Sequence, residues 1–302
     1  MLIVSIVTPC LNQAIFIREA VESVLAQNYL AVEHIIVDGG STDGTLDELA
    51  KFKELKIISE LDNGIYDAIN KGISLAQGDI IGFLNADDMY VPGVFQEIVE
   101  RFRKNPQLEA LSGGAEIFET SSTGNVVRRE FVSPFYSSLT VRNICLGQPI
   151  LNARFFRKKV IDVIGPFDSS YRIASDREIL IKMALAKVEN EYLPKCIYRY
   201  RAHAGSMTFD PYCKRGGDAN LEYWEIAEKF LNSSIPLRER LWVQIWHGRI
   251  SAEMFARALK RRDLGQAASV MRRGFKAGPW WPVIFGLRPL RRLKRSLHGI
   301  LR

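Results

Sequence analysis

Two adjacent carboxylates, Asp87 and Asp88, stand where the apolar run Ile80-Ile81-Gly82-Phe83-Leu84 gives way to polar residues. Neighbouring carboxylates repel unless a cation or hydrogen-bond donors come between them, so the pair predicts a hard divalent ion such as Mg²⁺. The alternative is an acidic cap on a helix over residues 94–103. Three other turns carry groups of the same kind: Thr8-Pro9-Cys10-Leu11-Asn12, Asp38-Gly39-Gly40-Ser41-Thr42-Asp43-Gly44 and Glu60-Leu61-Asp62-Asn63-Gly64. On a parallel sheet all four turns would meet along one rim at the carboxyl ends of the strands. Open α/β sheets bind ligands there, and helix N-termini favour an anion. The expected chemistry is an anionic ligand met by a metal and several hydrogen-bond acceptors.

The elements that must position these turns are legible in the hydrophobic pattern. Strands are expected over residues 2–8, 32–37, 56–59 and 80–84, and helices over 15–26, 45–52, 65–76 and 94–103. That alternation implies right-handed crossovers and a mostly parallel sheet. From about residue 108 the rhythm changes. Strands over 110–118 and 126–131 flank the polar turn 121–125, a helix is expected over 174–186, and a strand over 192–200, which together predict a mixed sheet. After Pro211 only helices are expected, with a break at Pro236.

Composition narrows the classes. A hydrophobic content of 47% with 25% charged residues is that of a globular protein. No apolar stretch approaches the ~18–20 residues that span a bilayer. Residues 1–7 lack a basic region, so no signal peptide is expected. Cys10, Cys145, Cys196 and Cys213 are widely spaced without a C-x-x-C pair, which points to reduced thiols in the cytosol. The net charge of +7 is unevenly placed: residues 251–302 hold 13 Lys/Arg against Glu253 and Asp263, a charge of +11 that leaves −4 for the rest. This argues against nucleic acid wrapped around the protein and for an anionic surface met by the C-terminus. Residues 279–302 combine Trp280-Trp281 with Leu290, Leu293, Leu297, Ile300 and Leu301 among arginines and Lys294. That is the pattern of a basic amphipathic helix lying on an anionic membrane surface. No G-x-G-x-x-G follows the first strand, which excludes a dinucleotide-binding dehydrogenase.

Taken together, the motifs resemble those of family 2 glycosyltransferases of the GT-A fold, inverting enzymes that use nucleotide-diphosphate sugars. The resemblance rests on Val4-Ser5-Ile6-Val7-Thr8-Pro9, Asp38-Gly39-x-Ser41-x-Asp43-Gly44 and Glu60-x-Asp62-x-Gly64-Ile65-Tyr66-Asp67-Ala68-x-Asn70-Lys71-Gly72. It continues through Gly78-Asp79 and Asn85-Ala86-Asp87-Asp88 to Ser175-Asp176-Arg177-Glu178, covering about residues 3–210. It implies an α/β fold of GT-A type, with a Rossmann-like, mostly parallel sheet, a mixed C-terminal part and a helical C-terminal extension. The implied catalytic domain is 1–210, with a nucleotide-sugar half of about 1–110 and an acceptor half of about 111–210. Residues 211–302 form the basic extension.

The resemblance also implies roles. Thr8 and Pro9 line the nucleotide pocket, Asp38 contacts the base, and Asp62 and Lys71 line the nucleotide and diphosphate. Asp87 lies near the ribose or metal, Asp88 binds Mg²⁺ or Mn²⁺ directly, and His203 joins the metal or diphosphate. Asn85 stands where the family's Asp-x-Asp pattern often has its first acid. Asp176 is the implied general base, taking the acceptor hydroxyl's proton in a single displacement. The expected donor is a UDP sugar and the expected acceptor a glycan or lipid-linked glycan of cell-surface polysaccharide or glycolipid synthesis. The protein would be cytoplasmic and peripheral on the inner face of the plasma membrane, with no nucleic-acid partner. The absence of a Gln-x-x-Arg-Trp motif favours single additions. A sugar nucleotidyltransferase is the rival reading, but it requires a Gly-rich loop after the first strand, and none is present. A non-catalytic nucleotide- or membrane-binding module would have no need of Asp87, Asp88 and Asp176.

Overall fold

A computed structural model describes residues 1–120, 126–131, 134–147, 149–203, 205–206 and 216–278. The turn 121–125, Cys213 and the amphipathic segment 279–302 singled out above lie outside these residues. The chain divides into two compact units, Met1–Cys213 and Lys214–Arg302.

The first unit opens with alternating strands and helices: β1 (Val4–Cys10), α1 (Ile17–Leu25), β2 (Val32–Asp38), α2 (Thr45–Leu49), β3 (Leu55–Ser59), α3 (Ile65–Leu75) and β4 (Ile80–Phe83). Every residue of β1 and β4 is buried, as central strands covered on both faces require. α1 buries Ile17, Ala20, Val21 and Val24 on one stripe. β1 pairs in parallel with both β2 and β4, and β2 with β3, with Cys10 opposite Asp38 and Asp38 opposite Ser59. Four parallel neighbours send their following turns to one rim, as the alternation predicts.

The remainder of this unit is β5 (Met89–Tyr90), α4 (Val94–Lys104), β6 (Ala110–Thr120), β7 (Val126–Phe131), α5 (Pro134–Ser137), α6 (Val141–Leu146), β8 (Arg154–Arg157), α7 (Lys158–Ile164), α8 (Ser175–Leu185) and β9 (Asn190–Arg201). Among the described residues the strands form one sheet in the order β3-β2-β1-β4-β8-β6-β9-β5, with β7 paired to β6. β8 runs antiparallel to β4 and β6, β9 parallel to β6, and β5 antiparallel to β9. The pairing of Met89 with Arg199 and Tyr90 with Tyr198 brings the end of β9 to Asp87 and Asp88. Sequence periodicity does not foresee β5, α5, α6, β8 or α7. β8 is short and buries three of its four residues, so it shows no alternation, and β5 exists only through its pairing with β9. A core of Ile80, Tyr90, Phe95, Phe102, Phe155 and Tyr198 packs behind this part of the sheet.

In the second unit α9 (Gly216–Leu231), α10 (Leu237–Lys260) and α11 (Leu264–Ala277) pack together, α10 against both others. Among the described residues no helix is long and apolar enough to cross a membrane. The buried polar groups of this unit form one network. Trp224 Nε1 donates to Ser251 Oγ at 3.0 Å, and Ser251 Oγ donates to the His247 carbonyl at 2.9 Å. Arg273 stacks over the Trp224 ring at 4.1 Å and pairs with Glu228, which lies 3.7 Å from His247 Nε2.

Burial lowers the pKa of His247 to about 4, against the pull of Glu228. The unfolded chain therefore takes up a proton below about pH 6.5 that the folded chain refuses until about pH 4. The stability His247 contributes is present above its unfolded pKa and is lost as pH falls. Moving from pH 7 to pH 5 should cost about 2 kcal/mol from this residue. In a series of melting temperatures against pH, His247→Gln should flatten the acid limb. An unchanged slope would assign the acid loss to other groups.

Candidate active site

The turns that leave the rim of β1 to β4 face one another. Burial raises the pKa of the Cys10 thiol, and the charges of Asp38, Asp43 and Asp87 raise it further, so carboxylates from two other turns surround the end of β1. Asn12 braces its turn against the next: its backbone N–H donates to Ser41 Oγ at 2.7 Å, and its Oδ1 accepts from Thr42 N at 2.9 Å. Asp38 is fully buried. It accepts from the backbone N–H groups of Gly40 (3.1 Å) and Ser41 (3.0 Å), from Ser59 Oγ (2.7 Å) and from Ser41 Oγ. Its carboxylate thus holds its own turn and β3 together, whereas the sequence reading has it contact a base.

Asp62 is placed in the complementary way. Its Oδ1 accepts from Gly64 N at 2.8 Å, while Oδ2 lies over Gly39, where any Cβ would collide with it. Glycine at 39 is what lets this half-buried carboxylate close over the turn. Lys71 braces the same loop from α3: Nζ donates to the Leu61 carbonyl at 3.0 Å and pairs with Glu60 at 2.9 Å and Asp67 at 3.5 Å. Thr8 and Pro9 are buried in β1. Thr8 Oγ1 lies 2.8 Å from Nε2 of His34, whose pKa burial lowers to about 3, so a neutral ring supports this strand end from beneath.

The adjacent carboxylates at the end of β4 have different surroundings. Asp88 is 2% exposed and engages three donors: Oδ2 accepts from Asn85 Nδ2 and the Tyr198 hydroxyl, both at 2.8 Å, and Oδ1 accepts from the Arg201 N–H at 2.8 Å. Burial, with the Asp87 charge adding to it, holds the Asp88 carboxyl well above the usual carboxylate range while these three donors pull it back. Asp87 keeps access to solvent and lies 3.0 Å from His203 Nε2. The His203 ring packs on Phe16 with centroids 4.4 Å apart.

Arg201 locks this corner. Nε donates to the Asp87 carbonyl at 3.0 Å, Nη2 donates to Glu19 at 2.7 Å, and the guanidinium lies between the rings of Phe16 and Phe118. Arg199, two residues earlier, pairs with the buried Glu116 at 2.7 Å and serves the sheet. Among the described residues no group of three or more His, Cys, Asp or Glu side chains forms a complete set of metal ligands.

Asp176 reaches the same place from α8. It sits half-buried in the first turn, with Oδ1 accepting from Arg177 N at 2.6 Å. The segment before it is held at both ends by α3. The Asn70 side chain exchanges two hydrogen bonds with the Phe167 backbone, at 2.8 and 2.9 Å, and the Tyr66 hydroxyl donates to the Ile173 carbonyl at 2.6 Å. The link to the Asp87–Asp88 corner is Tyr200. Its pKa is raised well above the usual value by burial first and then by the charges of Asp88 and Asp176, so it lies within the field of both carboxylates.

The structure therefore gathers Asp87, Asp88, Asp176 and His203 about the end of β9, with Asp38 and Asp62 along the rim. Sequence reasoning missed Tyr198, Tyr200 and the bracing by Glu19 and Phe16, and it gave Asn85 no role as a donor to Asp88. The alternation of Tyr198 and Tyr200 on one face of β9 was the available signal for the two tyrosines.

Comparison with known proteins bears on this arrangement. The family profile described as "Glycosyl transferase family 2" matches residues 5–164. The chain is 29% identical over 217 residues to an uncharacterized glycosyltransferase of Nostoc sp., covering 67% of this chain and 66% of that protein. It is 28% identical over 247 residues to a PGL/p-HBAD biosynthesis glycosyltransferase of Mycobacterium tuberculosis, covering 80% of this chain and 87% of that one. Among solved structures it resembles S. aureus TarS 1-349 in complex with UDP-GlcNAc, with a TM-score of 0.70 at 17% identity, covering 97% of this chain and 87% of that one. It also resembles the mannosyltransferase PcManGT from Pyrobaculum calidifontis in complex with GDP-Man and Mn²⁺, with a TM-score of 0.55 at 18% identity, covering 95% and 84% of the two chains. At these identities the structural likenesses establish the GT-A-like fold.

Proposed function

The chain belongs to glycosyl transferase family 2, and we propose that it transfers a sugar from a nucleotide-diphosphate donor to a glycan or lipid-linked acceptor with inversion, in one displacement. The observation that carries this reading is the corner at the end of β9, where Asp87 meets His203 and Asp88 meets Tyr198 and Arg201, with Tyr200 in the field of both Asp88 and Asp176 of α8. Inversion needs one carboxylate to accept the acceptor hydroxyl's proton as its oxygen attacks, opposite a corner that holds the leaving diphosphate. A UDP sugar is the preferred donor, in keeping with the UDP-GlcNAc bound by the TarS neighbour. The biosynthetic role in the mycobacterial relative's name supports a lipid-linked acceptor.

The geometry divides the work among the residues. Asp62 reads the base, because its Oδ2 lies over Gly39 while the Asp38 carboxylate is taken up by four donors. Thr8 and Pro9 form the floor of that pocket. Lys71 acts through the loop it braces.

Asp87 and His203 suit a divalent ion. An oxygen and an imidazole nitrogen 3.0 Å apart, both with solvent access, form a partial donor set that two phosphates would complete. Mg²⁺ or Mn²⁺ would be held there, and the nitrogen ligand favours Mn²⁺; when bound, the ion neutralises charge on the departing diphosphate. Asp88 orients that corner through Asn85, Tyr198 and Arg201 and acts at one remove from the ion.

Incubation of the protein with a panel of UDP, GDP and other nucleotide sugars, with Mg²⁺, Mn²⁺ or chelator, tests the reading by nucleoside diphosphate release. Release should require the divalent ion and favour one base. Failure of every donor in the presence of either metal would reject it.

A further inference from the structure

α11 presents two distinct faces. Ala267, Val270 and Gly274 are buried, while Leu264 (72% exposed), Met271 (39%) and Phe275 (50%) keep exposed apolar surface, with the exposed Ala268 between them. At about 100° per residue these four outer positions fall in one stripe roughly 60° wide, and Arg272 borders it. The helix contains no Asp or Glu. The acid just before it, Asp263, caps the helix by accepting from Gln266 N at 2.8 Å. Exposed Arg261 and Arg262 precede the helix, and from residue 254 onward the sequence sets 13 Lys/Arg against that single acid.

A row of large apolar side chains with this much exposed surface on a folded unit marks a contact surface. Charge selects its occupant. A second copy of the chain would bring Arg272, Arg261 and Arg262 against their own counterparts and be repelled. A nucleic acid would satisfy the arginines but leave the apolar stripe in water. An anionic lipid surface accommodates both: the apolar side chains enter the boundary between headgroups and acyl chains, and the arginines meet the phosphates.

We propose that the Leu264–Met271–Phe275 stripe of α11 docks the protein on an anionic lipid bilayer surface. The proposal goes beyond the transferase reading and depends on neither donor nor acceptor. The test is cosedimentation of the full chain with vesicles of phosphatidylcholine alone and of phosphatidylcholine with phosphatidylglycerol, at low and high salt. The full chain should pellet with the anionic vesicles, weakly with the neutral ones, and less in high salt. The Met271→Glu/Phe275→Glu variant should lower the bound fraction by about tenfold or more, with donor turnover unchanged. Met271→Leu/Phe275→Leu should retain binding, because it keeps the stripe apolar.

Binding of the Glu variant equal to that of the original chain would overturn the proposal. So would equal pelleting with neutral and anionic vesicles. A dimer in sedimentation velocity that dissolves in the Glu variant, with no vesicle binding by the original chain, would assign the stripe to a second copy instead.

Discussion

Asp176→Asn should leave donor binding intact and lower sugar transfer by about 10²–10⁴-fold, the usual contribution of a positioned general base. Asparagine keeps the shape of the side chain and can still accept from Arg177 N, the bond that Asp176 makes at 2.6 Å. What it loses is the ability to take a proton. The loop before it would stay in place, because Asn70 and Tyr66 hold Phe167 and Ile173 independently of residue 176. The fold should lose only about 0.3–1 kcal/mol from the missing negative charge in the first turn of the helix. Glu178 is the nearest carboxylate in sequence, but it cannot substitute: its side chain is 0% exposed and pairs with Lys182 at 2.9 Å. The measurement is initial transfer rate beside donor affinity by calorimetry. Transfer within a few-fold of the original rate would remove Asp176 from the mechanism.

Asp87→Ala and Asp88→Ala should fail in different ways although the residues are adjacent. Asp87 contacts His203 and solvent, so its loss should change the melting temperature little. Transfer should fall by about 10²-fold or more, together with its dependence on divalent ion. Asp88→Ala would strand the Tyr198 hydroxyl, the Asn85 amide and the Arg201 N–H around a buried cavity. At about 1–3 kcal/mol for each unsatisfied buried group, partly relieved by relaxation, the cost should be roughly 3–5 kcal/mol. Thermal melts of the two variants beside metal titrations of activity separate these outcomes. Equal destabilisation by both substitutions would contradict the division, as would metal-stimulated transfer surviving in Asp87→Ala.

Much of the first hundred residues was readable from the chain itself. β1 to β4 are short apolar runs divided by amphipathic helices, and that pattern depends only on neighbouring residues, so local reading recovers it. Parallel pairing then sends every turn to one rim as a matter of topology. The rest of the sheet was read less well because β5 and β8 are defined by partners distant in sequence and carry no period of their own. β8 lies between β4 and β6, and β5 exists only against β9.

The order and chemical type of the acidic turns, and the resemblance they carry, were determined by the sequence alone. Which acids remain available to a ligand was decided by the tertiary structure. Asp38 and Asp62, or Asp87 and Asp88, are the same functional group in similar turns, and no local pattern distinguishes them. Beyond the local donors of Gly40, Ser41 and Asn85, the donors that complete the engagement of Asp38 and Asp88 come from Ser59, 21 residues away, and from Tyr198 and Arg201, 110 and 113 residues away. Only when β3 and β9 pack into the sheet do those donors arrive, leaving Asp62 and Asp87 with solvent access.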